Sequence, residues 1–166
     1  MGNPTVQDFL NASKYVYNQV PGSSTSSASP PIGLKPLVVG GQQISQSIAS
    51  DGFSAAAYTT TTGQIIIAYA GTVPGFTGYN GASLGADAAI ATGSIPNALT
   101  DAASFAQQVI TAAQQQGLDP SNIFVAGHSL GGIEAQYVMT QISGLGGGAN
   151  FGGTGVPGYS NAGNTP

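Results

Sequence analysis

The chain has 166 residues, of which only 5% are charged, and its formal net charge is -4. Two lysines and no arginine leave no basic patch for a nucleic acid or an anionic membrane surface, so we expect neither partner. Because there is no cysteine and only one histidine, a disulfide and a thiolate metal site are excluded, and we predict no metal and no cofactor. The length favours one domain spanning residues 1–166.

The composition also bears on location. No stretch approaches the ~18 apolar residues of a membrane span, and the start MGNPTVQDFL lacks a basic region followed by an apolar run. We therefore expect no transmembrane segment. The Cys-free composition, rich in Gly, Ala, Ser, Thr, Asn and Gln, is similar to that of bacterial exported proteins, which favours an extracellular, secreted location.

The first predicted element is an amphipathic helix. Its apolar residues fall at three- and four-residue spacings from about Thr5, and Pro21-Gly22 closes it. We expect it to pack on the edge of the fold. Residues 22–31, GSSTSSASPP, lack apolar periodicity and are rich in Ser and Pro, so they are predicted to form an exposed loop.

Two β-prone runs follow, at residues 53–60 and 64–70, separated by a turn that contains Thr and Gly. The second run, QIIIAYA, is apolar on both faces, as a buried central strand should be. These runs predict a hairpin that enters the centre of a sheet. Residues 71–97 are Gly-rich and have no sustained period, which predicts an irregular, partly apolar excursion.

The second half alternates between predicted helices and strands. An apolar stripe from Leu99 to Ala113 predicts a helix with Asp101 in its first turn and Gly117 at its stop. A short apolar run at residues 123–126 predicts a strand, and residues 133–142 predict a further helix. Such alternation is typical of parallel strands in the α/β class. After Ser143, only residues 149–152 are predicted to be able to form a strand.

The strongest motif is IFVAGHSLGG at residues 123–132. Its GxSxG spacing, Gly127-His128-Ser129-Leu130-Gly131, is that of a nucleophile elbow, a sharp strand-to-helix turn that exposes a serine hydroxyl. The alternatives are a turn that merely packs or one that binds an anion, although a phosphate loop would need a nearby lysine.

A second GxSxG occurs at residues 81–85, GASLG, so the bare pattern is a weak signal in a chain with 26 glycines. The flanking sequence distinguishes the two sites. An apolar strand precedes Ser129 and a helical sequence follows it, whereas Ser83 has neither. We therefore predict that Ser129 is a nucleophile and that Ser83 is an ordinary loop serine.

A serine nucleophile needs a base, and His128 is the only histidine. Since a strained elbow points successive side chains apart, His128 is not expected to reach the Ser129 hydroxyl. The only acid after Ser129 is Glu134, five residues further along. That is too early for a triad acid, and we predict a solvated helix position for Glu134.

The motif GHSLGG after a hydrophobic strand, together with IIIAYAGT ending in Gly71-Thr72, resembles the class 3 (fungal-type) lipases and their bacterial relatives in the α/β-hydrolase superfamily. The similarity covers roughly Gly52 to Gly158. It implies an α/β-hydrolase fold with a mainly parallel sheet flanked by helices. It also implies a carboxylic-ester hydrolase of lipase or esterase type that acts on an acyl ester or lipid.

The resemblance assigns individual roles. Ser129 matches the nucleophile, and the backbone N–H groups of Thr72 and Leu130 match the oxyanion-hole donors, which are worth several kcal/mol in a shielded site. Residues 71–97 occupy the place of the lid in these lipases, although they also fit a surface loop. The sequence departs from the family at Ala70, where an arginine usually stands.

In α/β-hydrolases the triad acid and histidine follow the serine along the chain, and here no histidine follows Ser129. The chain is either the N-terminal part of a hydrolase whose Asp and His lie in a further segment or a second chain, or an artificially shortened chain, or a non-catalytic binding or scaffold domain. We favour the first because the Gly-rich ending looks interrupted. The fold is then apparently truncated after the nucleophile helix, which would leave an unpaired sheet edge.

Overall fold

The computed structural model describes residues 3–16, 33–48, 53–70, 94–128 and 130–151, so the loop predicted at residues 22–31 lies outside it. The helices of this part are α1 (Val6–Tyr15), α2 (Ser94–Gln115) and α3 (Leu130–Gln141). The strands are β1 (Leu34–Pro36), β2 (Val38–Val39), β3 (Gln42–Gln43), β4 (Ser45–Ile48), β5 (Phe53–Thr60), β6 (Ile65–Ala70), β7 (Ile123–His128) and β8 (Gly147–Phe151). None of the described helices combines the length and apolar character that crossing a membrane requires.

Within the described residues, the main sheet has six strands and is mixed. Its order is β1, β5, β6, β7, β8, with β4 also paired to β5. Strands β6, β7 and β8 run parallel, whereas β1, β4 and β6 all pair antiparallel with β5. The prediction of an α/β class is confirmed. The mainly parallel sheet of the prediction is present in part, since β5 runs opposite to the other five described strands of this sheet. The connections from β4 to β5 and from β5 to β6 are too short for the crossover that parallel pairing requires.

The hairpin predicted between β5 and β6 is confirmed. Thr60 and Gln64 close it through an N–H donated to the Gln64 carbonyl at 2.8 Å, and Gly63 adopts a φ of 84° in the turn. Glycine meets no steric penalty in that left-handed region. Every residue of β6 is buried, because both faces of this central strand are covered.

Two strands that the sequence did not predict, β1 and β4, pair with the outer edge of β5. Strands β1 and β4 pair with opposite halves of β5, and the small β2–β3 hairpin joins them. Its two turn residues, Gly40 and Gly41, have φ angles of 63° and 83°. Two consecutive positive φ angles match the type I′ turn of tight hairpins, which follows the twist of the flanking strands.

Helix α2 provides the crossover from β6 to β7, and it starts earlier than predicted. It begins at Ser94 rather than near Leu99, so Asp101 lies beyond its first turn. Pro96 falls within that first turn, where a missing N–H costs no hydrogen bond. The irregular excursion predicted over residues 71–97 is therefore wrong for its last four residues, which are helical. Residues 71–93 lie outside the described part, and the lid predicted for this segment stays a prediction.

The end of α2 agrees with the prediction. Gly117 has a φ of 82°, and the N–H of Leu118 donates to the Ala113 carbonyl at 2.9 Å. This is the glycine-dependent pattern that ends many helices. A 3-10 turn at Pro120–Asn122 then leads directly into β7.

The sheet continues past the strand that carries the motif. Strand β8 pairs parallel with β7, from Phe124 opposite Gly147 to His128 opposite Phe151. The described sheet therefore extends one strand beyond the helix after which it was expected to end, and β7 has neighbours on both sides. The strand predicted at residues 149–152 instead spans Gly147–Phe151.

Helices cover both faces of the sheet. Helices α2 and α3 pack on one face, against alternate residues that include Ile65, Ile67 and Val125. Helix α1 packs on the other face through Phe9 and Ala12, next to the opposite set of alternate residues. The predicted start of α1 is confirmed, since Thr5 caps it through a bond with the Asp8 N–H at 3.1 Å. The prediction that α1 lies at the edge is wrong, because it covers the central strands β6 and β7.

Candidate active site

The structure surrounds Ser129 with the elements that a nucleophile elbow needs. Strand β7 ends at His128 and helix α3 begins at Leu130, so Ser129 is the one residue between them in the chain. Ser129 itself lies outside the described residues. The strand before it is buried from Ile123 to Gly127 and pairs on both sides with parallel strands. The second motif serine, Ser83, also lies outside the described part, so its predicted loop position stays a prediction.

Two glycines of the motif allow this strand and helix to approach closely. A Cβ placed on Gly127 would collide with the Gly131 backbone and would lie 2.7 Å from the Gly132 nitrogen. A Cβ on Gly131 would collide with the backbone carbonyl of Tyr69 in β6. Both neighbours are main chain and cannot rotate away. Glycine is therefore required at both positions by space, as the small flanking residues of an elbow predict.

The parallel pairing brings the ends of β6 and β7, the strands that precede Thr72 and Leu130 in the chain, to one edge of the sheet. Tyr69 in β6 lies opposite Gly127 in β7, and both strands end within two residues of that pair. Thr72 follows β6, and Leu130 follows β7 as the first residue of α3. Thr72 lies outside the described residues. The carboxyl ends of parallel strands are where α/β proteins place their sites.

His128 is exposed and is the last residue of β7. Along β7, Phe124 and Ala126 belong to the face covered by α1, and Val125 belongs to the face covered by α3. Since side chains alternate along a strand, His128 shares the α1 face with Phe124 and Ala126. The helix that follows Ser129 packs on the opposite face. Because Ser129 is not described, the expectation that His128 is not the base stays a prediction.

Ala70, which stands where the lipase family has an arginine, is the last residue of β6 and is 1% exposed. It packs in the apolar cluster beneath α1. A guanidinium in this place would have to be buried among apolar side chains, at a large desolvation cost. Alanine at this position is therefore consistent with the α1 packing.

The prediction of a solvated Glu134 is wrong, because its side chain is only 1% exposed. All residues from Gly131 to Gln136 are buried, since α3 lies between the sheet and α2. A helix enclosed on several sides has no polar stripe, so its periodicity could not reveal which charged position is buried. Gln136, on the same helix, accepts a hydrogen bond from the Asn150 side chain at 3.1 Å.

Tyr69 is a residue that sequence reasoning missed. It is fully buried, and its hydroxyl donates to the Ala102 carbonyl of α2 at 2.9 Å. Burial raises the pKa of the Tyr69 hydroxyl well above its usual value, and the nearby charge of Glu134 raises it further. The only sequence signal was its position two residues before Gly71, in a strand that looked merely apolar.

Among the described residues, no cluster of His, Cys, Asp and Glu could hold a metal ion. Comparison with curated proteins and with solved structures finds no significant match. A family model described as Mbeg1-like matches residues 39–144, which is more than half of the chain and includes both β6 and the elbow. The chain belongs to the Mbeg1-like family.

Proposed function

We propose that this protein is a serine carboxylic-ester hydrolase of lipase or esterase type with an α/β-hydrolase fold. One observation carries the proposal. A single serine separates a buried parallel strand from a helix, and glycines at positions 127 and 131 let the two elements approach to main-chain contact. This is the local structure that a nucleophile elbow requires. The resemblance of GHSLGG and of IIIAYAGT to the class 3 lipases supports the same assignment.

The proposed reaction uses Ser129 as the nucleophile. Its Oγ attacks the acyl carbonyl carbon while a general base takes the hydroxyl proton, and the backbone N–H groups of Thr72 and Leu130 stabilise the resulting oxyanion. Collapse of the tetrahedral intermediate expels the alcohol, which takes a proton from the general acid, and leaves an acyl group on Ser129. Water then hydrolyses the acyl-enzyme through the same steps. Fixed backbone donors at a sheet edge supply this stabilisation without reorganising during the reaction.

The general base and its acid partner are proposed to come from a further segment or a second chain. His128 is the only histidine in these 166 residues, and strand alternation places it on the α1 face. Glu134 is buried beside Tyr69, inside the fold rather than at the exposed sheet edge. Since a serine without a base is a weak nucleophile at neutral pH, an Asp and a His from elsewhere would complete the triad.

The proposed substrate is an uncharged acyl ester or lipid. A chain with 5% charged residues offers little with which to bind a strongly charged substrate. Residues 71–97, which occupy the place of the lid in the class 3 lipases, are proposed to cover the acyl group. An extracellular location is proposed from the composition alone.

A fluorophosphonate probe tests the proposal. We expect it to label the assembly that contains the Asp- and His-bearing segment, and Ser129→Ala should abolish labelling and short-chain ester hydrolysis. Ser83→Ala is the matched control, since it removes the serine of the other GxSxG, and it should leave both unchanged. The 166-residue chain alone should turn over esters slower by orders of magnitude. Labelling that persists in Ser129→Ala would contradict the proposal.

A non-catalytic binding or scaffold domain is the second candidate function. The position of the only histidine on the α1 face favours it, because the described residues then supply no base. This candidate predicts that the complete, folded assembly binds acyl ligands but is not labelled by the probe.

A further inference from the structure

Gly132, the last glycine of GHSLGG, lies against a side chain rather than against main chain. A Cβ built on Gly132 would collide with the side-chain oxygen Oδ1 of Asn150 and would lie 2.9 Å from the Asn150 Cγ. At Gly127 and Gly131, by contrast, the nearest atoms belong to the backbone. The absence of a side chain at position 132 therefore makes room for Asn150 of β8.

The Asn150 side chain contacts two successive turns of α3. In the sheet, Asn150 lies opposite Gly127, close to the end of β7. Its Oδ1 lies against Gly132, and its Nδ2 donates a hydrogen bond to the Gln136 Oε1 at 3.1 Å. Because Gly132 and Gln136 are four residues apart in α3, they lie on the same face of the helix. One side chain of β8 therefore spans two turns of the helix that follows the elbow.

The hydrogen bond between these two amides is shielded from water. Gln136 is 4% exposed and Asn150 is half-buried. A shielded hydrogen bond is electrostatically stronger than one in water, and it requires a defined distance and angle. The apolar contacts of α3 with the sheet have no such directional requirement. The amide pair therefore restricts sliding and rotation of α3 on the sheet in a way that apolar packing does not.

The first turn of α3 has little helical stability of its own. It contains the consecutive glycines Gly131 and Gly132, and glycine weakens a helix because it loses the most backbone freedom on folding. Leu130, whose N–H is the predicted oxyanion donor, belongs to the same turn. A shift of this turn therefore moves the donor, and a misplacement of about 1 Å can cost about a hundredfold in rate.

We propose that Asn150 and Gln136 are positioning residues for the elbow helix. Their hydrogen bond, together with the contact of Asn150 with Gly132, fixes the first turn of α3 on β8 and thereby the direction of the Leu130 N–H. The packing stands on these side-chain contacts, and its catalytic consequence rests on the proposed esterase function.

The contact between Asn150 and Gly132 is tested by a double-mutant cycle. Gly132→Ala should lower the urea midpoint of the chain, because the added Cβ collides with Asn150. In an Asn150→Ala background the same change should shift the midpoint by about half as much or less, since the nearest remaining atom is the Gly127 carbonyl oxygen at 3.2 Å. Equal shifts in the two backgrounds would overturn the proposal.

The positioning role is tested with Asn150→Leu and Gln136→Met, which keep approximate size and remove the hydrogen bond. Thr60→Val is the matched control, because Thr60 is a buried polar residue at the β5–β6 turn whose Oγ1 accepts from the Gln64 N–H at 3.2 Å. Amide hydrogen exchange of residues 130–136 is measured in the full chain. Ester hydrolysis is measured in the complete assembly.

We expect Asn150→Leu and Gln136→Met each to speed exchange at residues 130–136 by about tenfold. Each should also lower kcat by about tenfold while KM changes less than about twofold, because a misplaced oxyanion donor affects the transition state. The double variant should add little, since both changes remove the same hydrogen bond. Thr60→Val should leave exchange at these residues and kcat unchanged.

The two readouts separate failure of this inference from failure of the proposed function. Unchanged exchange, or faster exchange with unchanged kcat in an active assembly, would overturn the positioning role and leave the esterase proposal intact. An equal effect of Thr60→Val would also overturn it, because general destabilisation would then explain the result. A wild-type assembly that never labels at Ser129 would reject the esterase function, and faster exchange confined to residues 130–136 would still support the fixing of α3 by Asn150 and Gln136.

Discussion

At the elbow, two residues without side chains decide how closely three elements can approach. Gly127 lies against the backbone of Gly131, and Gly131 lies against the backbone of Tyr69. Each contact is main chain to main chain, so a methyl group cannot be accommodated by rotating a neighbour. Glu134 lies on the same helix as Gly131, and it is buried because the sheet and α2 enclose that helix. Its own sequence pattern does not indicate this burial.

Gly131→Ala should therefore be strongly destabilising. The added Cβ collides with the Tyr69 carbonyl and forces α3 away from β6, which should lower the free energy of unfolding by about 3 kcal/mol. Urea denaturation of the purified chain measures this as a lower midpoint. Gly40→Asn is the control, since Gly40 has a φ of 63° and no atom within 4 Å of a built Cβ. An Asn-Gly turn suits that hairpin, so its stability should not fall. A Gly131→Ala chain as stable as wild type would contradict the packing described for the elbow.

At the scale of elements, α1 has a larger structural role than an edge helix would have. It covers the β6–β7 region opposite α2 and α3 and buries apolar residues that would otherwise face solvent. Phe9, 8% exposed, meets Phe124 of β7 edge to face with ring centroids 5.9 Å apart. Helix α1 therefore stabilises β7, the strand that precedes Ser129.

Phe9→Ala should cost about 3 kcal/mol of stability, because it removes a buried aromatic ring and leaves a cavity against Phe124. Thermal unfolding followed by circular dichroism is the measurement. Val6→Ala, on the exposed side of the same helix at 61% exposure, should change stability by no more than about 0.5 kcal/mol. Equal losses for the two variants would mean that α1 does not pack through Phe9 as described.

At the scale of the whole molecule, the helices on the two faces of the sheet bury polar side chains of its strands. Tyr58 faces α1 and Tyr69 faces α2 and α3, and each is fully buried. Burial is the main cause that raises both pKa values far above the usual 10.0, with smaller contributions from Tyr15 and Glu134 respectively. Within the described residues, the Tyr58 hydroxyl has no hydrogen-bond partner.

These two tyrosines predict a loss of stability at alkaline pH. Unfolded tyrosine releases its proton near pH 10, whereas the folded chain retains both protons, so their contribution is complete below about pH 10 and falls as pH rises. The slope should approach about 1.4 kcal/mol per pH unit for each group. Denaturant titrations from about pH 9 to about pH 11, combined with tyrosinate absorbance, measure it. Tyr58→Phe should roughly halve the slope; a slope that is unchanged in Tyr58→Phe would refute this account.

The sequence alone was sufficient for the features that depend on local pattern. The β5–β6 hairpin follows from two β-prone runs around a glycine turn, and the strand, serine and helix at residues 123–141 follow from an apolar run, a tight motif and helical spacing. The closing Gly117 of α2 follows from the need for a positive φ. Each of these signals lies within a few residues of the structure it specifies.

Only the tertiary structure decided what depends on distant contacts. Hydrophobic periodicity indicates that α1 has an apolar side, but it does not indicate which surface that side covers. The position of α1 over the centre of the sheet could therefore not be predicted. The burial of Glu134 depends on α2 and the sheet enclosing α3, and the buried Tyr69 hydroxyl finds its acceptor at Ala102, 33 residues away. The parallel addition of β8 to β7 likewise depends on the crossover through α3. Such contacts join residues remote in sequence, and local propensity carries no information about them.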